Sequence, residues 1–292
     1  MSISSAQLEL GYRRCAREVR AAAGNFYYAF RLLPPEKRRA LHALYRFCRG
    51  ADDIADAPEA AGLRLRRLDS YRSTLERSLA GDPPDSGWLI LVDTAGRFSL
   101  SPEHLNQVID GCAADCRPLR IRSERELADY CYGVAGVVGL LSARIFRYRD
   151  PRVETLAVDL GEAMQRTNIL RDLGEDLAAG RRYLPEEVMD RFQLSEEDLL
   201  VGARGPNAAR YRDLMAHEVA LARELFRSGL QLVPLVERDA RGCPAALAAL
   251  YQALLDRIEQ DGYDVQGQRI RLSSRHKLGL ALVAWASATL RP

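Results

Sequence analysis

Two stretches of this chain place aspartates four residues apart within segments that otherwise read as apolar helix. The first holds Asp52 and Asp56, with Asp53 beside them; the second holds Asp172 and Asp176, with Glu175 between. Four residues is close to one helical turn, so each pair shares a face. On a solvated helix such like-charge pairs cost roughly 0.2–0.5 kcal/mol. Here the charges extend faces that are apolar one turn earlier, through Leu41, Leu44, Tyr45 and Cys48 in the first segment. Leu160, Met164, Thr167 and Leu170 share the second helix, on which Gln165, Asn168, Asp172 and Asp176 fall along one line. Amides and carboxylates so aligned are expensive to bury without partners. Each acidic face could be a solvated helix surface, but the two together suggest acidic helices set across a cavity, where cations compensate them.

The rest of the chain reads as helix too, rich in Ala, Leu, Arg and Glu and poor in alternating Val/Ile/Thr. Helices are expected over about 5–30, from Glu36, over 62–79, 88–98 and 103–115, and through the apolar run 127–146. Others are expected over 155–177, 207–235 and 244–261. Ser101 is placed to cap the helix that follows Pro102, and Ser123 with Glu126 has the spacing of a capping box. Gly133, Gly136 and Gly139 recur every third residue, which suits either close helix packing or a floor beneath a large ligand. No linker or low-complexity tract divides the chain, so the expectation is all-α, one domain over residues 1–292, a helical bundle around a central cavity.

Lys and Arg number 42 against 40 Asp and Glu, a net charge of +2 that gives no reason to expect nucleic acid. With 47% apolar residues, disorder is a poor reading. The six cysteines are too sparse for an oxidised framework, and Cys112 and Cys116 lack the further ligands of a zinc set. His42, His104, His217 and His276 show no ligand spacing and are expected at the surface or locally hydrogen-bonded. No secretory segment opens the sequence, which points to the cytoplasm.

Mg2+ is the cation that suits paired carboxylates, being hard, oxygen-seeking and completed by ligand phosphates. A diphosphate leaving group gains charge as its carbon–oxygen bond breaks, and fixed cations stabilise that charge. Arg49, Arg166, Arg171, Arg181 and Arg182 stand where they could add positive donors. Cleavage leaves an allylic carbocation, which a cavity without water must control.

With these elements in this order, the chain resembles the squalene/phytoene synthase family over nearly its whole length. The match runs from Asn25-Phe26-Tyr27-Tyr28-Ala29-Phe30 through Tyr45-Arg46-Phe47-Cys48-Arg49 into Asp52-Asp53-Ile54-Ala55-Asp56. It continues through Tyr130-Cys131-Tyr132-Gly133-Val134-Ala135-Gly136, the segment from Gln165 to Asp176, and Gly180-Arg181-Arg182-Tyr183-Leu184-Pro185. The resemblance implies an isoprenoid synthase fold and two prenyl diphosphates held around three Mg2+. It assigns Asp52, Asp56, Asn168, Asp172 and Asp176 to metal, and Arg49, Gln165, Arg171, Arg181 and Tyr183 to diphosphate. Tyr130 falls near the reacting intermediate, with Asn25, Asp53, Glu175 and Arg182 as secondary candidates. Asn25 replaces a serine common in relatives, and Ala22 and Ala23 stand where some have His and Ser, which alters donor binding. Gly133 replaces an aromatic residue and leaves open volume beside Tyr130.

The implied reaction is head-to-head condensation through a cyclopropyl diphosphate. The segment 26–30 and the compact C-terminus look most like the farnesyl-using bacterial branch. That favours two farnesyl diphosphates giving presqualene diphosphate, released or reduced to squalene, with NADPH needed in the second case. The alternatives are phytoene synthesis from two geranylgeranyl diphosphates and a helical isoprenoid-binding protein without turnover. Arg269, Arg271, Arg275, His276 and Lys277 precede an apolar stretch, 278–290, too short to cross a bilayer. That stretch either closes the core or rests peripherally at the inner membrane. No heptad repeat specifies a protein partner.

Overall fold

The computed structural model describes residues 5–22, 24–267 and 270–290, so Ala23 and Arg269 lie outside the described residues. Fourteen α-helices run through them, with two isolated β-bridges and no strand among the described residues. Helix α1 (Ser5–Ala22) and α2 (Gly24–Phe30) replace the single first helix expected. The break falls at Gly24, whose φ of +49° a glycine adopts without a Cβ penalty. Helix α3 (Pro35–Ala55) starts on Pro35, whose missing N–H costs nothing in a first turn, and ends at Asp56.

Helices α4 (Ala61–Leu79), α5 (Ser86–Phe98) and α6 (Pro102–Ala114) follow. The Ser101 hydroxyl accepts from the His104 N–H at 3.3 Å, capping α6 as its sequence predicts. Helix α7 (Glu124–Cys131) is capped by Ser123, which accepts from the Glu126 N–H at 3.2 Å. The reciprocal half of the box is displaced by one residue, because the Glu126 carboxylate takes the Arg122 N–H instead.

The run expected as one helix then changes pitch. Tyr132–Gly136 is a π-helical turn, after which α8 (Val137–Phe146) resumes. Long α9 (Arg152–Ala178) crosses this turn at close range: a Cβ on Gly161 would stand 2.6 Å from the Ala135 carbonyl oxygen. A Cβ on Gly136 would meet Val158 at 3.2 Å. Close packing therefore accounts for these glycines.

Short α10 (Glu186–Arg191) and α11 (Glu196–Val201) fill a stretch in which no helix is expected from sequence. Helices α12 (Ala208–Gly229), α13 (Gly242–Gln260) and α14 (Ser274–Thr289) complete the bundle. Helix α3 packs on α1, α5, α4 and α6, whereas α9 packs on the π-turn, α8, α12 and α13. The acidic helices thus belong to two separate walls, bridged by α8, which touches both.

All six cysteines are free, and all but Cys48 are buried. His42 departs from the surface expectation. It is buried beside the Phe30 ring with no protein partner on either ring nitrogen, and burial lowers its pKa to about 4, leaving it neutral.

Candidate active site

A cavity of about 320 Å3 opens between the two walls. Helix α3 contributes Tyr45, Cys48, Arg49 and Asp52, and α9 contributes Leu160, Gly161, Met164, Gln165 and Asn168. One end is therefore polar and carries members of both acidic faces. Apart from Ser142 and Tyr251 the remaining lining is apolar, including Phe26 and Phe30 from α2, Val134, Ala135, Val138 and Gly139 from the π-turn and α8, and Leu247 from α13. Gly139 and Gly161 serve both readings of the glycines, since they allow close packing and line the cavity.

Asp52 is exposed where it meets this cavity, with neighbouring protein crowding one side of its carboxyl. That partial desolvation is the largest influence on its carboxyl and raises its pKa; the Cys112 thiol, donating at 3.2 Å, and Arg49 pull it back. Arg49 also pairs with Asp53 at 2.7 Å on the exposed side of α3. On α9, the Asn168 amide donates to the Gln165 carbonyl at 3.2 Å and lies against the Tyr251 hydroxyl. One and two turns further on, Arg171 holds Asp172 in a two-point ion pair, and Arg181 pairs with Asp176 at 2.9 Å. Burial raises the Asp176 carboxyl against the pull of Arg181. Arg181 feels both Asp176 and Asp56, so the far ends of the two acidic faces approach one another.

Among the described residues, no three His, Cys, Asp or Glu side chains converge closely enough to hold a metal by themselves. The donor set nevertheless fits Mg2+, which binds through one or two carboxylates and completes its shell with water and phosphate oxygens. Asp176, 15% exposed, is a carboxylate whose burial penalises its charge, and the surrounding protein partly desolvates the exposed Asp52, a situation a hard cation relieves.

Other expected residues are placed differently. Tyr130 and Tyr183 both donate to Asp115, a residue absent from the sequence reading. Burial pushes the Asp115 carboxyl up to about 6. Arg182 does not face the cavity: it is buried, donates to the Met189 sulfur at 3.1 Å and lies 3.8 Å from Glu186. Arg166 likewise turns away from any phosphate into Glu124, Glu162 and Glu218, at 2.9, 2.9 and 3.3 Å. It sits one residue past Gln165, about 100° around the helix. Glu175 is exposed, and Asn25 is half-buried but is not part of the cavity wall.

The family described as squalene/phytoene synthase matches residues 19–276 of the chain. The chain is similar to the 15-cis-phytoene synthase of Synechocystis sp., with 37% identity covering 97% of this chain and 87% of that one. It is similar to the phytoene synthase of Mycobacterium tuberculosis, with 35% identity covering 97% and 93%. Among solved structures, a dehydrosqualene synthase in complex with ligand superposes with TM-score 0.86 at 27% identity, covering 97% of this chain and 98% of that one. The squalene synthase HpnC of Alicyclobacillus acidocaldarius gives 0.80 at 28%, covering 89% and 97%.

These likenesses overturn the expectation of farnesyl diphosphate and a presqualene or squalene product. Near-full-length similarity at 35–37% is to proteins named phytoene synthase. In segment 26–30, Phe26 and Phe30 line the cavity, whereas Tyr27 and Tyr28 meet each other at 5.8 Å without lining it. The C-terminal helix packs outside it, on α13 and α2.

Proposed function

Because the chain belongs to the squalene/phytoene synthase family, we propose that it condenses two geranylgeranyl diphosphates head to head into phytoene. The observation that carries the reaction class is that Arg49 and Asp52 of α3 line one cavity with Gln165 and Asn168 of α9. The C20 substrate follows the relatives named phytoene synthase.

In this reading Asp52, Asp56, Asn168, Asp172 and Asp176 hold three Mg2+. Bound there, the ions neutralise negative charge developing on the departing diphosphate. Arg49, Gln165, Arg171 and Arg181 receive the diphosphate oxygens, the arginines with directed, charge-assisted donors, while Tyr183 keeps its hydrogen on Asp115. The walls from Phe26 and Phe30 to Val134, Val138 and Leu247 hold the prenyl chains and keep water from the cation. Tyr130, one turn before Val134, is assigned to the reacting intermediate by the family pattern alone; its hydroxyl donates to Asp115 and it is not part of the cavity wall. Attack of the acceptor double bond on C1 and loss of a proton give a cyclopropyl diphosphate. A second ionisation, rearrangement and proton loss give the hydrocarbon, a sequence that consumes no reductant. Asn25, Asp53 and Glu175 act at most as supports for this arrangement.

The purified protein, incubated with Mg2+ and either geranylgeranyl or farnesyl diphosphate, with and without NADPH, tests the reading by mass spectrometry. A C40 hydrocarbon from the C20 substrate alone, without NADPH and with two diphosphates released per product, is expected. A C30 product from farnesyl diphosphate alone would refute the substrate. Retention of lipid without diphosphate release would indicate a binding protein.

Helix α14 adds a place for the enzyme to work. Its inner side closes on α13 through Ala281, while Leu278, Leu282 and Val283 face outward, Val283 at 68% exposure. Arg271, Arg275 and His276 are exposed at its start, and no Asp or Glu follows Asp264. No helix among the described residues is long and apolar enough to cross a membrane. A cationic, apolar ridge of this kind suits peripheral seating on an anionic bilayer, on its cytoplasmic side, where a C40 hydrocarbon can depart. Flotation with phosphatidylglycerol vesicles, lost on Val283→Glu and absent with phosphatidylcholine, is the expected result. Equal binding by the variant would argue against this seat.

A further inference from the structure

Cys112 is buried in α6, and no residue of that helix is part of the cavity wall. From behind the wall its thiol donates to Asp52 Oδ1 at 3.2 Å. Among the described residues no other hydrogen bond reaches the Asp52 carboxylate. Arg49, three residues earlier on α3, pairs with Asp53 instead. The place of the donor is fixed from its other side. Gly111, next to Cys112, lets α6 lie against the π-turn, since a Cβ there would stand 2.8 Å from the Gly133 carbonyl oxygen. The same helix packs on α3. The sulfur is thus wedged between the π-turn and the acidic face of α3, within reach of the one carboxylate of that face that lines the cavity.

A carboxylate offers about four lone-pair sites on its two oxygens. With the thiol on Oδ1, the plane of the carboxyl is pinned and Oδ2 is left without a hydrogen-bond partner among the described residues. We propose that Cys112 is a positioning residue: its S–H···Oδ1 bond orients the Asp52 carboxylate so that Oδ2 is free to hold the metal ion. The sulfur is a soft ligand and competes poorly for Mg2+, so its influence passes through the carboxylate. Donors that orient a ligating group are worth about 10- to 100-fold in metal affinity. A thiol is a weak donor and belongs at the lower end of that range. An apolar side chain at 112 would still fill the space, but it would leave the carboxylate free to turn.

The inference rests on the metal role proposed above for Asp52, and binding without turnover separates the two. Mn2+ binding to the purified full chain is followed by electron paramagnetic resonance beside saturating, unreactive geranylgeranyl thiodiphosphate, for the wild type, Cys112→Ala and Cys112→Ser. Ala and Ser are nearly equal in size, so the variants share any packing loss and differ in the donor. Cys112→Ala is expected to weaken Mn2+ binding about 10-fold and to raise the Mg2+ needed for half-maximal diphosphate release by a like factor. Cys112→Ser, whose hydroxyl restores a donor, should stay within about threefold of wild type. Without metal the two variants should melt within about 2 °C of each other. In an Asp52→Ala background, Cys112→Ala should change Mn2+ affinity by less than about twofold, because the thiol acts through that carboxylate. Should Cys112→Ala not fold, Cys112→Val, which fills the space of the sulfur without a donor, takes its place. Equal affinities in the Ala and Ser variants, an Ala variant within about twofold of wild type, or an undiminished effect without Asp52 would overturn the inference. A wild type that binds no Mn2+ beside the analogue would reject the metal role itself, and the inference with it.

Discussion

Gly161→Ala probes how closely α9 is held against the π-turn. The added Cβ would lie 2.6 Å from the Ala135 oxygen, 2.8 Å from its carbonyl carbon and 3.0 Å from the Gly136 nitrogen, all backbone of the π-turn. Backbone cannot swing aside, so α9 must retreat by roughly 0.8 Å to recover ordinary contact, an overpacking strain worth about 1–3 kcal/mol. Better helix propensity returns about 1 kcal/mol. The net loss, about 0–2 kcal/mol, corresponds to a melting temperature lower by up to about 8 °C. Activity should suffer more. Gly161 lies one turn before Gln165, so the retreat moves the whole line from Gln165 to Asp176, and a displacement near 1 Å can cost about 100-fold. Gly96→Ala is the control: this residue of α5 is exposed with nothing within 4 Å of its Cβ position, so the variant should melt slightly higher and keep full activity. Calorimetry and diphosphate-release kinetics give both numbers. If Gly161→Ala melts no lower than wild type and keeps kcat within twofold, close approach of α9 to the π-turn does not position the site.

Three further outcomes are expected. Asp52→Asn and Asp172→Asn should each lower diphosphate release on the order of 10²–10³-fold; because Asp52 is exposed, Asp52→Asn should leave the melting temperature close to wild type, and a large loss of stability would contradict that. Lys37 is buried, donating to Glu237 at 2.6 Å and Asp239 at 2.5 Å, both about half exposed. Lys37→Met leaves solvated acids and should cost about 1 kcal/mol, whereas Glu237→Gln with Asp239→Asn leaves the buried ammonium only neutral acceptors, the Phe146 carbonyl at 3.1 Å among them, and should cost about 3–5 kcal/mol; equal costs in urea titrations would refute the asymmetry. Glu218, facing Arg166, Glu124 and Arg191, is pushed by burial up to about 7. The folded state therefore binds its proton more tightly than the unfolded state, and the stability this gives at low pH is lost as pH rises from about 4.5 to 7. Glu218→Gln should flatten that part of the melting-temperature profile, and an unchanged slope would count against it.

Much of the fold was legible because helical period and cap chemistry act locally. Ser101 caps α6 through the bond its position implies, and Asp52 of α3 lines one cavity with Gln165 and Asn168 of α9, whereas Asp56, Asp172 and Asp176 are not part of its wall. What was hidden depends on tertiary contact. The π-turn at Tyr132–Gly136 lies against α6 and α9, where Gly111 and Gly161 admit its backbone, and nothing local marks it. Asp115 reads as a polar residue ending a helix, and becomes a buried acceptor only when Tyr130 and Tyr183 arrive 15 and 68 residues later. Two tyrosines already marked for the site, with a lone acid near a cluster of small residues, were the available signal. Arg166 looked like a phosphate ligand by proximity in sequence, but its place around the helix directs it to three glutamates. Substrate length was the least legible property, since it depends on how the deep apolar walls of the cavity close.

A crystal grown with Mn2+ and an unreactive prenyl thiodiphosphate tests the two-wall arrangement most directly, because anomalous scattering locates each ion. The expected map places Mn2+ between the analogue's phosphates and the carboxylates of Asp52 and Asp56 on one side and Asp172 and Asp176 on the other, with the prenyl chain among Phe26, Val134 and Leu247. Ions held elsewhere, for instance among Glu124, Glu162 and Glu218, or an analogue bound along one helix without bridging ions, would contradict it.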